Sequence, residues 1–198
     1  MKEFRNEPIL ELRRGPIRAQ LADALKAHDA KPPVKVPVWV GGERREGDEL
    51  ISTDPGAPDH VVAEAASATP DEVEAALALA AGTGAKTWSA TKPERRAEIL
   101  IAAAAWLRER RLEIAALEVR EAAKPWPEAD ADVCEAIDFL EYYARGAIDL
   151  AQGAPLLQVP GERNELHYSP RGVQRSSLRS PGTCSSGAPW ARSRAPRA

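Results

Sequence analysis

Cysteine is nearly absent from this 198-residue chain: Cys134 and Cys184 stand far apart, without Cys-x-x-Cys spacing. Neither a disulfide framework nor a cysteine zinc site is indicated. Long apolar runs are missing as well. The opening Met1-Lys2-Glu3-Phe4-Arg5-Asn6-Glu7-Pro8 has no core of signal-peptide length and no later run approaches a membrane span, so a cytoplasmic location is expected. The three histidines, His28, His60 and His167, share no metal-ligand spacing, and no metal site is assigned.

The tail from Gln174 lacks acidic residues altogether. It carries Arg175, Arg179, Arg192, Arg194 and Arg197, so removing these five charges from the chain's net charge of -3 leaves -8 on the body before it. An acidic body argues against nucleic-acid binding by the main domain. What remains is ordinary: 43% hydrophobic and 29% charged residues, at a length suited to one domain or a piece of a larger one.

The spacing of Ile17, Leu21, Ala24, Leu25 and His28 predicts a helix over 15–30, ended by Lys31-Pro32-Pro33. Val36-Pro37-Val38-Trp39-Val40, then Gly41-Gly42 and Glu43-Arg44-Arg45, predict a hairpin, with Pro37 on an edge strand because it cannot donate to a ladder. Asp54-Pro55-Gly56-Ala57-Pro58 reads as a turn, and Val61-Val62-Ala63 as a short strand.

Three helices are expected to carry most of the rest. Thr69-Pro70-Asp71-Glu72 has the form of a capping box, and Thr91-Lys92-Pro93-Glu94 repeats it ahead of a stripe of Ile99, Ala103, Trp106, Leu107, Ile114 and Leu117. The third helix, about 128–151, carries Val133, Ile137, Leu140, Ala144 and Ile148 on one face and Glu135, Phe139 and Tyr142 on another. Such a helix needs partners on both sides; one is expected to be the second helix and the other to be missing from the chain. Glu128, Asp130 and Asp132 suit the helix N-terminus through its dipole. Asn164 to Val173 reads as a strand leading elsewhere. Gly82-Thr83-Gly84-Ala85-Lys86-Thr87 mimics a phosphate loop, but Ala85 precedes the lysine and a helix precedes the loop, so helix termination is the better reading.

Several segments, taken in order, resemble the front of the aldehyde dehydrogenase superfamily. They are Phe4-Arg5-Asn6-Glu7-Pro8, Trp39-Val40-Gly41-Gly42-Glu43, Asp54-Pro55, Pro93-Glu94-Arg95-Arg96, Glu135-Ala136-Ile137-Asp138-Phe139-Leu140-Glu141-Tyr142-Tyr143-Ala144, and Tyr168-Ser169-Pro170-Arg171-Gly172-Val173. The Asn-Glu-Pro opening and the Glu-Ala-Ile-Asp-Phe helix resemble the branch that oxidises L-glutamate γ-semialdehyde. The resemblance covers nearly all of residues 3–173. It implies NAD-dependent oxidation of an aldehyde to an acid, the second step of proline breakdown to glutamate. In that chemistry a Cys thiolate attacks the aldehyde, hydride passes to nicotinamide, and a Glu-activated water releases the acid. A backbone amide and an Asn side chain hold the oxyanion.

The resemblance further implies a homo-oligomer, with Tyr168 to Val173 helping to join subunits before entering the nucleotide-binding domain. It also places Glu135 and Phe139 beside the aldehyde tunnel; the alternative is that both pack the fold.

The likeness stops after Val173. The Pro-Trp-Asn segment that supplies the oxyanion Asn is absent, as are the cofactor-binding Lys, the Gly-rich nucleotide turn, the general-base Glu and the catalytic Cys segment. Neither Cys134, on a helix, nor Cys184, in the tail, has that context. No catalytic, cofactor-binding or metal residue is therefore assigned, no NAD is expected to bind this chain, and the chain is expected to be inactive alone.

The tail reads either as a basic arm or as a shifted reading frame: CCC-TGG-AAC, which encodes Pro-Trp-Asn, gives Pro-Gly-Thr one base later, and Pro181-Gly182-Thr183 lies near the lost motif. The expected architecture is an incomplete α/β protein: 1–173 as the N-terminal segment of the aldehyde dehydrogenase fold, mostly helical with a small β portion, and 174–198 as an unrelated, disordered tail. Exposed strand ends and an unpartnered helix face would leave it aggregation-prone. Two other classes stay open: one half of a split enzyme completed by a C-terminal chain, and a non-catalytic helical interaction module.

Overall fold

Pro16 sits in the first turn of a helix, where its missing N–H has no partner to lose, and α1 runs Gly15–Asp29 with Leu21 and Leu25 buried. This computed structural model describes residues 3–168 and 172–174. The basic tail beyond Gln174, with Cys184 and Pro181-Gly182-Thr183, lies outside the described residues.

Five strands follow: β1 (Val34–Val36), β2 (Val38–Val40), β3 (Glu43–Arg45), β4 (Glu49–Asp54) and β5 (Ala57–Ala66). The hairpin is β2–β3. Gly41 and Gly42 both have positive φ, +63° and +86°, as a two-residue turn matched to strand twist requires. Pro37 does not lie on an edge strand. It separates β1, which pairs in parallel with β5, from β2, which pairs only with β3, so the chain leaves one sheet for another where the ladder donor is missing. The Asp54 turn forms but is tighter than expected: Pro55 and Gly56 make it, the Gly56 N–H donates to Asp54 Oδ1 at 2.7 Å, and Ala57 and Pro58 already belong to β5. The strand after it is longer than Val61–Ala63, because β5 is the centre of a β1-β5-β4 sheet and finds ladder partners on both sides.

The helices are α2 (Pro70–Leu79), a π-helical kink at Ala80–Gly84, α3 (Ala85–Ala90), α4 (Pro93–Glu109), α5 (Arg111–Ala122) and α6 (Trp126–Gln152). Thr69 and Glu72 make the reciprocal capping box that starts α2. Thr91 does not make a second one. It precedes the N-cap Lys92, and its hydroxyl turns back to donate to the Thr87 carbonyl at 2.9 Å; Pro93 still starts the helix.

The stripe from Ile99 to Leu117 spans two helices, since Arg110 (φ −108°, ψ 14°) breaks the run. That bend carries Arg111 to a carboxylate on α6. Ile99 and Trp106 are consequently exposed, and Ala97 and Ala104 take the buried positions on α4, where small side chains let helices approach closely. The core joins Leu21 of α1, Ala104 of α4, Ala115 of α5, and Val133 and Ile137 of α6. No strand forms at residues 164–168 or 172–174; without an adjacent edge their backbone has no ladder. Residues 169–171 lie outside the described residues.

Candidate functional site

α6 is wrapped on two sides. Val133, Ile137 and Ala144 face the core, and α4 and α5 pack there. The second side is covered only in part: residues 4–12 run along its flank and Phe4 meets Tyr142, while Glu135 and Tyr142 of the expected stripe stay exposed.

Three carboxyl-bearing or thiol side chains one turn apart, Asp130, Cys134 and Asp138, form the seam. The Leu10 N–H donates to Asp130 Oδ2 at 2.7 Å, the Glu7 N–H to Asp138 Oδ1 at 2.6 Å, and Asn6 Nδ2 to Asp138 Oδ2 at 2.7 Å. From the other flank Arg111 Nη1 donates to the Pro8 carbonyl at 2.9 Å, and Arg108 Nε to Glu7 Oε2 at 2.8 Å.

Asp130 does more than complement a helix dipole. Its carboxylate is 1% exposed and takes Arg111 through both oxygens, at 2.6 and 2.8 Å. Burial alone would weaken the Arg111 cation; the bonds and charge of Asp130 outweigh it and hold its proton more tightly than usual. Asp132 pairs with Lys124, which also lies 3.8 Å from the buried Glu118.

Between this N-terminal segment and α6 lies a groove of about 500 Å³. Glu135 and Phe139, the two residues singled out from the sequence, both line it, beside Tyr142 and Tyr143. The rings form a chain: Phe139 stacks on Tyr143 at 6.0 Å, Tyr143 meets Tyr142 edge-on at 5.4 Å, and Tyr142 meets Phe4 at 5.7 Å. Arg145 lies 5.8 Å from the Phe4 ring. Glu135 is exposed at this wall. Sequence reasoning missed Phe4, Asn6, Ile9 and Asp138 as groove residues; the four-residue spacing of Asp130, Cys134 and Asp138 was the available signal.

The groove can hold a ligand but carries no activated nucleophile. Cys134 is its thiol, and burial pushes that group up to about 11, leaving it protonated at neutral pH. Nor do the described residues fit a dinucleotide. The link from β5 into α2, residues 67–69, contains no glycine, and Gly82 and Gly84 lie inside a helical kink rather than between a strand and a helix N-terminus.

Residues 39–176 match the model of the aldehyde dehydrogenase family. The chain belongs to that family. Among the relatives it resembles, it is 41% identical over 174 residues to the 1-pyrroline-5-carboxylate dehydrogenase of Geobacillus sp. (strain WCH70), covering 87% of this chain and 34% of the relative. A point mutant of the Thermus thermophilus 1-pyrroline-5-carboxylate dehydrogenase superposes with a TM-score of 0.76 at 40% identity, covering 83% of this chain and 32% of that one. A Thermus 1-pyrroline-5-carboxylate dehydrogenase with bound NAD gives 0.74 at 38% identity, with the same coverage. The described fold is thus the N-terminal part of the aldehyde dehydrogenase fold, and the chain spans about a third of the length of the relatives it matches.

Proposed function

We propose that this chain carries the N-terminal segment of a cytoplasmic, NAD-dependent dehydrogenase that oxidises L-glutamate γ-semialdehyde, the open form of 1-pyrroline-5-carboxylate, to glutamate in proline catabolism. The observation behind the proposal is the match, at about 40% identity, to 1-pyrroline-5-carboxylate dehydrogenases over 87% of the chain. Glu135 and Phe139 take the aldehyde-facing role: they share one groove wall, and a flat aromatic face beside a carboxylate suits a small polar substrate better than a packing seam does.

The residues that attack the aldehyde, bind NAD and activate water belong to segments with no counterpart in residues 1–173, so the chain alone binds no NAD and is inactive. The basic stretch 174–198 is best explained by a shifted reading frame. One observation favours a second form of the same reading, a split enzyme. Trp39, Leu50, Ile51 and Trp106 are each more than half exposed, as expected of a surface that another chain covers. In the assembled enzyme the family's homo-oligomeric state is expected.

The test is NADH formation from pyrroline-5-carboxylate and NAD, with the 198-residue chain alone and mixed with a separately made C-terminal two thirds of a homologous enzyme. No turnover alone and turnover on mixing are expected. Turnover above a no-enzyme control with the chain alone overturns the claim of inactivity; none in the mixture removes the split-enzyme form.

A further inference from the structure

We propose that residues 4–11 act as a strap, hinged where Leu12 packs against the core, that opens and closes over the aromatic groove as one unit while the helices beneath stay folded. The inference goes beyond the substrate reading and does not depend on it.

The kind of contact that holds the segment carries the argument. None of residues 3–11 is fully buried and Ile9 is 69% exposed; the strap's apolar contacts lie at its ends, where Phe4 meets Tyr142 and Leu12 packs against the core. No helix or strand forms within residues 3–11, so the strap has no regular backbone ladder of its own to lose. Between those ends its attachment is polar, and most of it converges on α6 and on two arginines. Asn6 and the Glu7 N–H share Asp138, the Leu10 N–H uses Asp130, Glu7 pairs with Arg108, and Arg111 reaches the Pro8 carbonyl.

A segment tied by a few charge-assisted bonds, beside helices that share a dry core, has a lower opening free energy than the fold it lies on. Asp130 and the two arginines stay in place when it lifts, because Asp130 and Arg111 hold each other and Arg108 keeps Glu141 at 3.4 Å. Closing the strap supplies Phe4, Asn6, Glu7 and Ile9 to one wall of the groove; opening removes that wall.

Cys134 reports the motion. Its side chain is 3% exposed and its sulfur lies 4.0 Å from the Pro8 carbonyl, directly beneath the strap. In a Cys184→Ser background it is the chain's single thiol. An aromatic disulfide reagent reads it: the Cys134 thiolate attacks one sulfur, a mixed disulfide forms, and the coloured thiolate that leaves is counted.

The expected labelling rate is flat in urea below the unfolding transition, because lifting the strap exposes little surface. Asp138→Asn, which weakens two contacts at once, is expected to raise the rate about tenfold. Asp149→Asn, at the other end of α6, is expected to leave it unchanged. The proposal is overturned if the unsubstituted-strap protein labels with the urea slope of global unfolding, if Asp138→Asn labels at the original rate while folded by circular dichroism, or if Asp149→Asn accelerates labelling equally. Should Asp138→Asn fail to fold, the urea slope of the Cys184→Ser chain decides by itself. NADH formation plays no part in these readings, so the strap and the substrate proposal can fail separately.

Discussion

In α6 seven residues are buried, whereas α2 and α3 bury none, although Val73, Leu77, Leu79 and Trp88 are as apolar as the residues that do go inside. The difference does not lie in local helix signals. α2 has a complete capping box and a proline in its first turn; α6 begins at Pro125 without a side-chain cap. Caps set where a helix starts and add about 1 kcal/mol, but tertiary burial decides how firmly the helix is held. The bundle of α1, α4, α5 and α6 supplies both sides of its own core, with the N-terminal strap along the Asp130–Asp138 flank of α6. α2, α3 and the hairpin present an apolar surface that the described residues do not cover.

The comparison predicts that cooperative stability resides in the bundle, and the sharpest way to break it is at Asp130. Removing that carboxylate in Asp130→Ala leaves the Arg111 cation partly buried without its partner and also frees the Leu10 N–H. A loss of about 3–5 kcal/mol is expected, read from the urea midpoint. A loss under about 1 kcal/mol would mean that water replaces the pair and that the bundle is looser than its burial implies.

A paired truncation compares the two regions directly. Ile137→Ala, in the core, is expected to cost about 2–5 kcal/mol, whereas Leu77→Ala, 46% exposed on α2, should stay within about 0.5 kcal/mol of the parent chain. Equal losses would show that α2 is covered in solution, most directly by a second copy, which sedimentation would detect.

The smallest effect is expected at the corner between α5 and α6. Ala123 is left-handed at φ +52°, a conformation that costs a residue with a Cβ about 1–2 kcal/mol. Ala123→Gly relieves that strain but adds freedom to the unfolded chain, so a net gain of about 0.5 kcal/mol, or roughly 1–2 °C in Tm, is expected by calorimetry.

Much of the fold was legible because its signals are local. The α1 span, the Gly41-Gly42 hairpin, the Asp54 turn and the Thr69 box depend on residues within four positions of each other, and each forms at the place read. Most misreadings have the opposite property. The break at Arg110 and the parallel pairing of β1 with β5 depend on what lies across from the residue; the box at Thr91 is lost to a local competitor, the Thr87 carbonyl four residues back. Glu135 and Phe139 could be picked out from the spacing on α6 and the family likeness. The strap opposite them could not, since Asn6 and Asp138 are 132 residues apart.

The sequence by itself determined where helices begin, where the chain turns, and which family its first 173 residues belong to, because periodicity, capping chemistry and motif order are all carried along the chain. Only the tertiary structure decided that Ala97 and Ala104, rather than Ile99 and Trp106, face the core, and that Asp130 is a buried ion-pair partner. It alone brought the opening residues onto α6 to wall the aromatic groove. Burial and ion pairing are properties of two surfaces at once, and a one-dimensional pattern specifies only one of them.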